Sequence, residues 1–504
     1  MTEQLGRRPA WPWRLGPLLV LVSGCQWVFG FDEFSPADGD GAGGGGAIGA
    51  GGGAAGGGGG AGGGGAPGGG AGGGPGGGGG SGPGGGELLA KGLVAGDTHT
   101  CALARDESGF YCWGNNAFGQ SVIAGPALVD QAERLELMVF TGQPAQVAPG
   151  TSHTCALGVN VDQASLACWG DNTYGQVGLP LEAPPIGVSP VDLSTDVLAA
   201  GIAQIGVGGY HGCLRTGLGP SAPPEAHEAV FCWGRNSSAQ LGRDEGTPPA
   251  DPSPAPVLDS TQNRLAAVST IAAHFDHTCA IVRGDNQVVC WGENGAGQSG
   301  SLQQPAAVAT KVSTGADSLL VGASDVAVGR SHSCAIVGEG GVLCWGSNAE
   351  GQLGNEGTYL DGGPHERAEE VTAGGTPLRG VRQLALGSLH SCALTEGKTV
   401  RCWGSNRNGE LGRGADVFNT PEPGLVAGEG GAAEPLSGVE QIVAGGGHTC
   451  ALLEDGRVLC WGQNTSRQLG TGRDESRLVY PTPVLLSPAA RVPSGARAPG
   501  PSRR

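Results

Sequence analysis

The sequence predicts an all-β protein, a seven-bladed β-propeller preceded by a disordered Gly-rich tether. Three observations support this prediction. A unit of roughly 57 residues recurs seven times after residue 86, which is typical of a repeat architecture. Each unit has the pattern of short strands around tight turns. Charged residues make up only 15% of the chain against about 25% in ordinary soluble domains, and 101 of 504 residues are glycine, so a helix-rich enzyme is disfavoured.

Two motifs define the unit. It begins with G-x-x-H-[TS]-C-A-[LI] and continues with C-W-G-x-N and a close similar to G-Q-L-G. The tryptophans are Trp113, Trp169, Trp233, Trp291, Trp345, Trp403 and Trp461. The histidines are His99, His153, His211, His277, His332, His390 and His448. Because both residues recur once per unit, we interpret them as structural, with the tryptophans filling the gaps between blades.

Within each unit the pattern indicates four short strands. In the last unit, residues 448–453 and 457–461 flank an E-D-G turn and form a hairpin. A further extended stretch precedes each histidine, and a fourth is rich in proline and valine, as in residues 482–486. Four strands repeated seven times predict the blades of a propeller.

Fourteen of the 15 cysteines form seven local pairs. They are Cys101 and Cys112, Cys155 and Cys168, Cys213 and Cys232, Cys279 and Cys290, Cys334 and Cys344, Cys392 and Cys402, and Cys450 and Cys460. The last pair is symmetric about the hairpin turn, so its members face each other at a separation that suits a disulfide. The alternative, a zinc site, would have only three ligands per unit. We predict seven disulfides, no metal and an oxidising compartment.

The N-terminus has the pattern of an export signal. Three arginines precede an apolar run at residues 15–22, which is too short to span a bilayer. The tetrapeptide V-S-G-C ending at Cys25 resembles a bacterial lipobox. This resemblance implies lipidation of Cys25 and anchoring in the cell envelope, and Gln26 is compatible with delivery to the outer membrane. The alternative is a plain secretory signal with a stray cysteine.

These observations divide the chain into five parts. We predict a lipoprotein signal peptide at residues 1–24, a mature N-terminal segment at 25–40, a disordered Gly/Ala-rich linker at 41–86, the propeller at 87–488 and a disordered basic tail at 489–504. The linker has no charged residue and cannot bury enough apolar surface to order itself. As a flexible coil it spans about 35–40 Å.

Closure of the ring is also predicted. The first unit begins abruptly at Glu87, directly after the linker, and the proline- and valine-rich strand expected before its histidine is missing. Residues 480–487 follow the last unit and have no unit of their own to enter. We predict that they pair with the first blade and lock the ring.

At the level of the whole unit, the sequence is similar to the regulator of chromosome condensation repeat, whose members form seven-bladed propellers. In those relatives the two residues between the glycine and the histidine often line one face of the ring and contact partners. The resemblance therefore implies contact residues Asp97, Tyr210, Phe275, Asp276, Arg330 and Leu389, in which aromatic and arginine side chains would dominate the binding energy. The alternative is that these residues merely end a strand.

Composition and motifs narrow the function. The formal net charge is −18, which disfavours nucleic acid as a partner. No nucleophile elbow, phosphate-binding loop or His-Glu-x-x-His motif is present, so we predict no catalytic residue and no cofactor. The favoured function is a monomeric, membrane-anchored module that binds an unknown protein or envelope ligand. The alternatives are a polysaccharide-active enzyme, a guanine-nucleotide exchange factor by family resemblance, and a structural role in the envelope.

Overall fold

The computed structural model describes residues 86–487, apart from 107–108, 123–124, 136–143, 160–163, 182–186, 220, 224–225, 244–247, 302–304, 317 and 357–362. The predicted signal peptide, the lipidated Cys25, the linker up to residue 85 and the basic tail lie outside the described residues. Within the described range, seven four-stranded antiparallel sheets follow one another along the chain. The prediction of an all-β, seven-bladed propeller is confirmed.

The first four blades take residues 90–311. Blade one contains β1 (Ala90–Ala95), β2 (His99–Ala104), β3 (Phe110–Asn115) and β4 (Leu128–Arg134). Blade two contains β5 (Pro144–Pro149), β6 (His153–Val159), β7 (Ala164–Gly170) and β8 (Ser189–Pro190). Blade three contains β9 (Ile202–Val207), β10 (His211–Thr216), β11 (Val230–Arg235) and β12 (Ala250–Pro256). Blade four contains β13 (Val268–His274), β14 (His277–Val282), β15 (Gln287–Gly292) and β16 (Ala306–Lys311).

The last three blades take residues 323–483. Blade five contains β17 (Ala323–Val328), β18 (His332–Val337), β19 (Gly341–Gly346) and β20 (His365–Glu370). A small hairpin of β21 (Thr372–Ala373) and β22 (Thr376–Pro377) follows. Blade six contains β23 (Val381–Leu386), β24 (His390–Thr395), β25 (Val400–Gly404) and β26 (Thr420–Leu425). Blade seven contains β27 (Val439–Ala444), β28 (His448–Leu453), β29 (Val458–Gln463) and β30 (Arg477–Pro483).

Helical structure is minor. In the described residues an α-helix, α1 (Thr195–Ala200), precedes blade three, and a 3-10 turn spans Glu429–Gly431. The Ser194 side chain caps α1 by accepting a hydrogen bond from the backbone of Val197. In the described part of the chain, no helix has both the length and the apolar character to cross a bilayer.

The seven predicted cysteine pairs are the seven disulfides of the structure. Each joins the second and third strands of one blade at directly opposed positions, as Cys450 opposes Cys460. Each closes a loop of only 10 to 19 residues within its own blade. The disulfides therefore stabilise hairpins, and they indicate an oxidising, extracytoplasmic compartment.

The tryptophans lie between blades, as predicted. All seven are buried, and each indole Nε1 donates a hydrogen bond to a main-chain oxygen of the preceding blade at 2.8 to 3.2 Å. The acceptors are the carbonyls of Gln468, Gln120, Gln176, Gln240, Gln298, Gln352 and Glu410, in the order of the tryptophans. Each tryptophan thus fills an apolar gap and satisfies its one polar group there.

Ring closure differs from the prediction. Residues 480–483 belong to β30, which pairs with β29 of its own blade, and blade one has four strands of its own. The proline- and valine-rich strand therefore completes the blade of the preceding histidine hairpin, and no strand is missing from blade one. The prediction was wrong for residues 480–483, which it assigned to the following blade. It was right for residues 485–487, which pair with blade one: Ala132 N donates to Leu485 O at 2.8 Å, and Ser487 N donates to Ala132 O at 3.0 Å.

The ends of the described chain meet just beyond β30. Leu88 N donates to Val484 O at 3.1 Å, and Leu486 N donates to Gly86 O at 2.8 Å. Equivalent antiparallel bridges occur inside the continuous connections between other blades, such as Leu258 with Arg264. Residues 86–89 and 484–487 therefore form together, from two separate segments, the connection that is a single loop elsewhere in the ring.

Candidate functional site

The candidate contact residues lie in the turns between the first and second strands of the blades. These turns all occupy one end of the ring, which we call the loop face: residues 97–98, 151–152, 209–210, 275–276, 330–331, 388–389 and 446–447. Main-chain hydrogen bonds join neighbouring turns, as from Gly446 N to Asp97 O at 2.9 Å and from Gly209 N to Phe275 O at 2.6 Å. Among the described residues such bonds join the turns at six of the seven junctions, so side chains from these neighbouring blades have fixed relative positions.

Glycine before each turn allows this close approach. A Cβ at Gly96 would overlap the carbonyl oxygen of Gly150 in the next blade. In blade four His274 occupies this position, β13 runs one residue further, and His274 pairs with His277 across a two-residue turn. Phe275 then adopts a φ of 46°, which is strained for a bulky residue. Backbone strain of this kind is common at functional sites.

The repeat histidines lie beneath the loop face and connect neighbouring blades. Each begins a second strand, and six of the seven bond through Nε2 to a Thr or Ser hydroxyl of the next blade at 2.7 to 2.9 Å. The pairs are His99 with Thr154, His211 with Thr278, His277 with Ser333, His332 with Ser391, His390 with Thr449 and His448 with Thr100. Burial lowers the pKa of His99 and His332 to about 3, so these imidazoles are neutral and structural.

Five of the six predicted contact residues come together. The Arg330 guanidinium lies 4.0 Å from the centre of the Phe275 ring, a cation–π contact between blades five and four. Asp97 of blade one is close enough to Arg330 for an electrostatic effect on its carboxyl. Burial and the negative charges of Asp97 and Asp276 raise the pKa of the Tyr210 hydroxyl. The cluster therefore draws on blades one, three, four and five.

Leu389 is the sixth predicted residue. It is half-buried in the same ring of turns in blade six. The ring, ion-pair and hydrogen-bond contacts of the described cluster do not include its side chain. Its role as a contact residue stays a prediction.

Sequence reasoning missed two members of the cluster, Tyr174 and Arg235. The Arg235 guanidinium lies 5.3 Å from the Tyr174 ring centre and 5.6 Å from that of Tyr210, and the two tyrosines pack edge to face at 5.6 Å. Arg235 also pairs with Asp276 at 3.5 Å. Both missed residues lie in the segment that follows the CWG motif.

A signal for this second set was present in the repeat. The residue between Gly and Asn in C-W-G-x-N is variable, and its backbone N–H bonds to the carbonyl of the residue before the histidine. The seven positions are Asn115, Asp171, Arg235, Glu293, Ser347, Ser405 and Gln463, at 2.7 to 2.9 Å from their acceptors. This residue varies inside an otherwise constant motif, and its backbone is held beside the turn. We therefore expect its side chain to contact the same ligand as the turn residues.

The electrostatics of the loop face reflect partial burial. Burial raises the pKa of the Asp97 carboxyl, and Arg330 opposes part of that rise. Burial likewise raises the pKa of Asp276 against the effect of Arg235. Burial, followed by the negative charge of Asp97, raises the pKa of the Tyr210 hydroxyl. Charged groups held partly out of water are well placed to interact with a ligand.

Metal-binding clusters and exposed repeat histidines are absent from the described residues. These residues contain no group of three or more His, Cys, Asp or Glu side chains that could hold a metal ion. The repeat histidines are buried beneath the turns, so they are not presented to a substrate. The chemistry that the loop face offers is recognition through aromatic, guanidinium and carboxylate groups.

Comparisons with known proteins agree with this geometry. The chain is 32% identical over 249 residues to the human probable E3 ubiquitin-protein ligase HERC6, a match that covers 48% of this chain and 22% of that protein. The structure is similar to human WBSCR16, with a TM-score of 0.59 and 22% identity over 77% of this chain and 94% of that one.

A second similar structure is Prp20p from Saccharomyces cerevisiae. Its TM-score is 0.58 at 17% identity, and the match covers 79% of this chain and 87% of that chain. At this level of identity both structures show a common fold. The regulator of chromosome condensation repeat matches residues 91–120, and the RCC1-like domain matches residues 219–498, more than half of the sequence. The chain belongs to the RCC1-like domain family.

Proposed function

We propose that this protein is a membrane-anchored propeller, exposed in the cell envelope, that binds a protein partner through its loop face and catalyses no reaction. One observation carries the proposal: the cluster of Tyr174, Tyr210, Arg235, Phe275 and Arg330, which are partly exposed and come from four blades. Tyrosine and arginine are the residue types that contribute most to protein interfaces. A rigid ring holds them, so binding requires little ordering.

The similar proteins favour a binding role. Prp20p is known for its binding to Gsp1p and histones, and both are proteins. The match to HERC6 covers only 22% of that protein, so its ligase activity gives no support for an enzyme here. The same holds for nucleotide exchange, which rests on the family resemblance alone.

Anchoring is the second part of the proposal. It is supported by the lipobox-like sequence at Cys25 and by the odd cysteine left over from seven disulfides. The described chain begins at residue 86, before β1, at the end of the ring opposite the loop face. An anchor upstream of residue 86 would leave the loop face unobstructed. Cys25→Ser is expected to release the protein from membranes, and unchanged membrane partitioning would refute lipidation.

Affinity capture from an envelope and secretome extract tests the binding role. The unmodified chain is compared with a Tyr210→Ala, Phe275→Ala, Arg330→Ala variant. The matched control carries Leu218→Ala, Arg283→Ala and Leu319→Ala, three exposed positions away from the loop face. We expect the control to capture the same protein as the unmodified chain and the loop-face variant to lose it. Equal capture by all three would remove the loop face as the binding site.

A further inference from the structure

Four carboxylates lie on the loop face near the aromatic cluster, and three of them are satisfied within the chain. Asp171 accepts hydrogen bonds from Thr173 and Gln176. Asp276 accepts one from Gln240 at 2.8 Å and pairs with Arg235. Glu293 accepts one from Gly295 N at 2.9 Å.

Asp97 is the exception. Among the described residues its carboxylate has no hydrogen-bond donor and no cation within ion-pair distance, although Arg330 is near enough to act on it electrostatically. The guanidinium of Arg330 is instead stacked on Phe275 at 4.0 Å. A half-buried carboxylate with no donor is costly to the folded protein, and a basic group from a partner would offset that cost.

The surroundings of Asp97 leave room for that partner. Its side chain lies over Gly446 of blade seven, where a Cβ would overlap Oδ1. Gly447 follows, so blade seven presents no side chain in its turn. The negative charge of Asp97 also acts on the Tyr210 hydroxyl of blade three. The Gln463 side chain lies over Gly447, so blade seven borders the Asp97 carboxylate with a glycine turn and one uncharged amide.

The charge of the chain favours a cation at this position. The first 40 residues carry three arginines and five acidic residues, the basic tail carries four arginines, and residues 41–86 carry no charge, which leaves −20 for residues 87–488. A field of this sign accelerates the approach of a basic partner and selects against acidic ones.

We propose that Asp97 is the specificity-determining residue of the loop face and that it pairs with a lysine or arginine side chain of the protein partner. This inference rests on the proposed binding function. The glycine turn of blade seven offers no side chain that competes for the Asp97 carboxylate, and the neighbouring Gln463 amide is uncharged. The charge pair is half-buried, so loss of either member weakens binding more than loss of an exposed pair does.

A displayed library of random 12-residue peptides, selected on the full chain, tests this proposal without knowledge of the partner. Binding of the selected peptides is then measured to the unmodified chain, to Asp97→Asn and to Asp97→Lys. Glu293→Gln is the matched control, because it removes a carboxylate from the same face that already has a donor in the chain. Thermal unfolding of each variant confirms that the ring is intact.

We expect the selected peptides to share a lysine or arginine. Asp97→Asn should weaken their binding by about tenfold or more, and Glu293→Gln by about twofold or less. Replacing the shared basic residue by glutamate should abolish binding to the unmodified chain and restore it to Asp97→Lys. A selection that yields no binders, yields no basic consensus, or yields peptides that bind Asp97→Asn equally well would overturn the proposal. The capture experiment with the Tyr210, Phe275 and Arg330 variant would still decide the binding function separately.

Discussion

His153 and Gly212 meet at the junction of blades two and three, where the histidine has no hydroxyl to bond. The residue after the next histidine is Thr or Ser at the other six junctions, but here it is glycine, and His153 Nε2 is buried without a hydrogen-bond partner among the described residues. A Cβ at Gly212 would overlap the Trp233 ring. The tryptophan therefore takes the space of the hydroxyl, and this junction lacks one of the bonds that join the blades.

Comparison with the six junctions that have a Thr or Ser hydroxyl predicts how much this hydroxyl contributes to the free energy of unfolding. Thr154 bonds both His99 Nε2 and the carbonyl of Gln120, each at 2.8 Å. Thr154→Val keeps the shape of the side chain but leaves His99 Nε2 buried without a partner, whereas the Gln120 carbonyl keeps its bond from Trp169 Nε1. We therefore expect the free energy of unfolding to fall by about 1–3 kcal/mol. Urea denaturation measures this loss. Thr465→Val, at an exposed position, is the control, and an equal effect of the two variants would contradict the role of the bond.

The buried histidines predict a steep acid instability. Burial lowers the pKa of eight of them below the ordinary value near 6.5. They are His99, His153, His211, His274, His277, His332, His390 and His448. Below about pH 6.5 the unfolded chain binds protons that the folded chain does not, so stability falls with pH, by about 1.4 kcal/mol per pH unit for each such histidine.

The loss should continue towards pH 4, where His211 and His274 begin to titrate in the folded state, and towards pH 3 for His99 and His332. The raised carboxyl pKa values of Asp97 and Asp276 act in the opposite direction, but these groups are fewer. Urea unfolding at pH 7.5, 6.5, 5.5 and 4.5 at constant ionic strength checks the prediction. A midpoint that does not change between pH 6.5 and 4.5 would show that the imidazoles are accessible to protons.

The repeat motifs were sufficient to predict the blades, because the determinants are local. Cys450 and Cys460 lie symmetrically about a turn, and this spacing alone fixes the hairpin register seen in the structure. The closure was assigned correctly only for residues 485–487, because residues 480–483 carry the same strand pattern whichever blade they join. Only the pairing of β30 with β29 distinguishes the two arrangements.

The candidate site was predicted in part. The turn residues could be identified because the repeat defines their positions, but the contacts of Arg235 with Tyr174 of blade two and Asp276 of blade four cross two junctions. Such contacts depend on the angle between blades, which no local pattern encodes. The strain at Phe275 could not be read from the sequence either, since it follows from the extension of β13 to His274.

The two-segment closure predicts a sharp effect of truncation. Ending the chain after Pro483 removes buried Val484 and the bonds of residues 484–487 to Leu88, Gly86 and Ala132. We expect the free energy of unfolding of this variant to fall by several kcal/mol. Each lost hydrogen bond contributes about 1 kcal/mol, and the lost apolar contacts add to this. Ending the chain after Ser487 keeps these contacts and should leave the thermal midpoint unchanged. Equal midpoints of the two truncated proteins would contradict the closure.

Each disulfide should stabilise its own blade. Replacing Cys450 and Cys460 together by alanine removes a bridge across a separation of 10 residues, and we expect a loss of about 2–3 kcal/mol. Denaturation under non-reducing conditions measures the loss, and the same substitution tested in excess reductant is the control. A loss of equal size in reductant would assign the effect to packing of the cysteine side chains rather than to the bridge.

Closure by two separate segments also determines how the ring bears mechanical load. A pulling force applied ahead of residue 86 reaches first the hydrogen bonds of residues 86–90 with Val484, Leu486 and Gly456, whereas every disulfide lies inside a hairpin. The junction of blades one and seven is therefore expected to yield before any hairpin extends. Under tension from a tether, the ring would open at the junction of blades one and seven while the blades themselves stay folded.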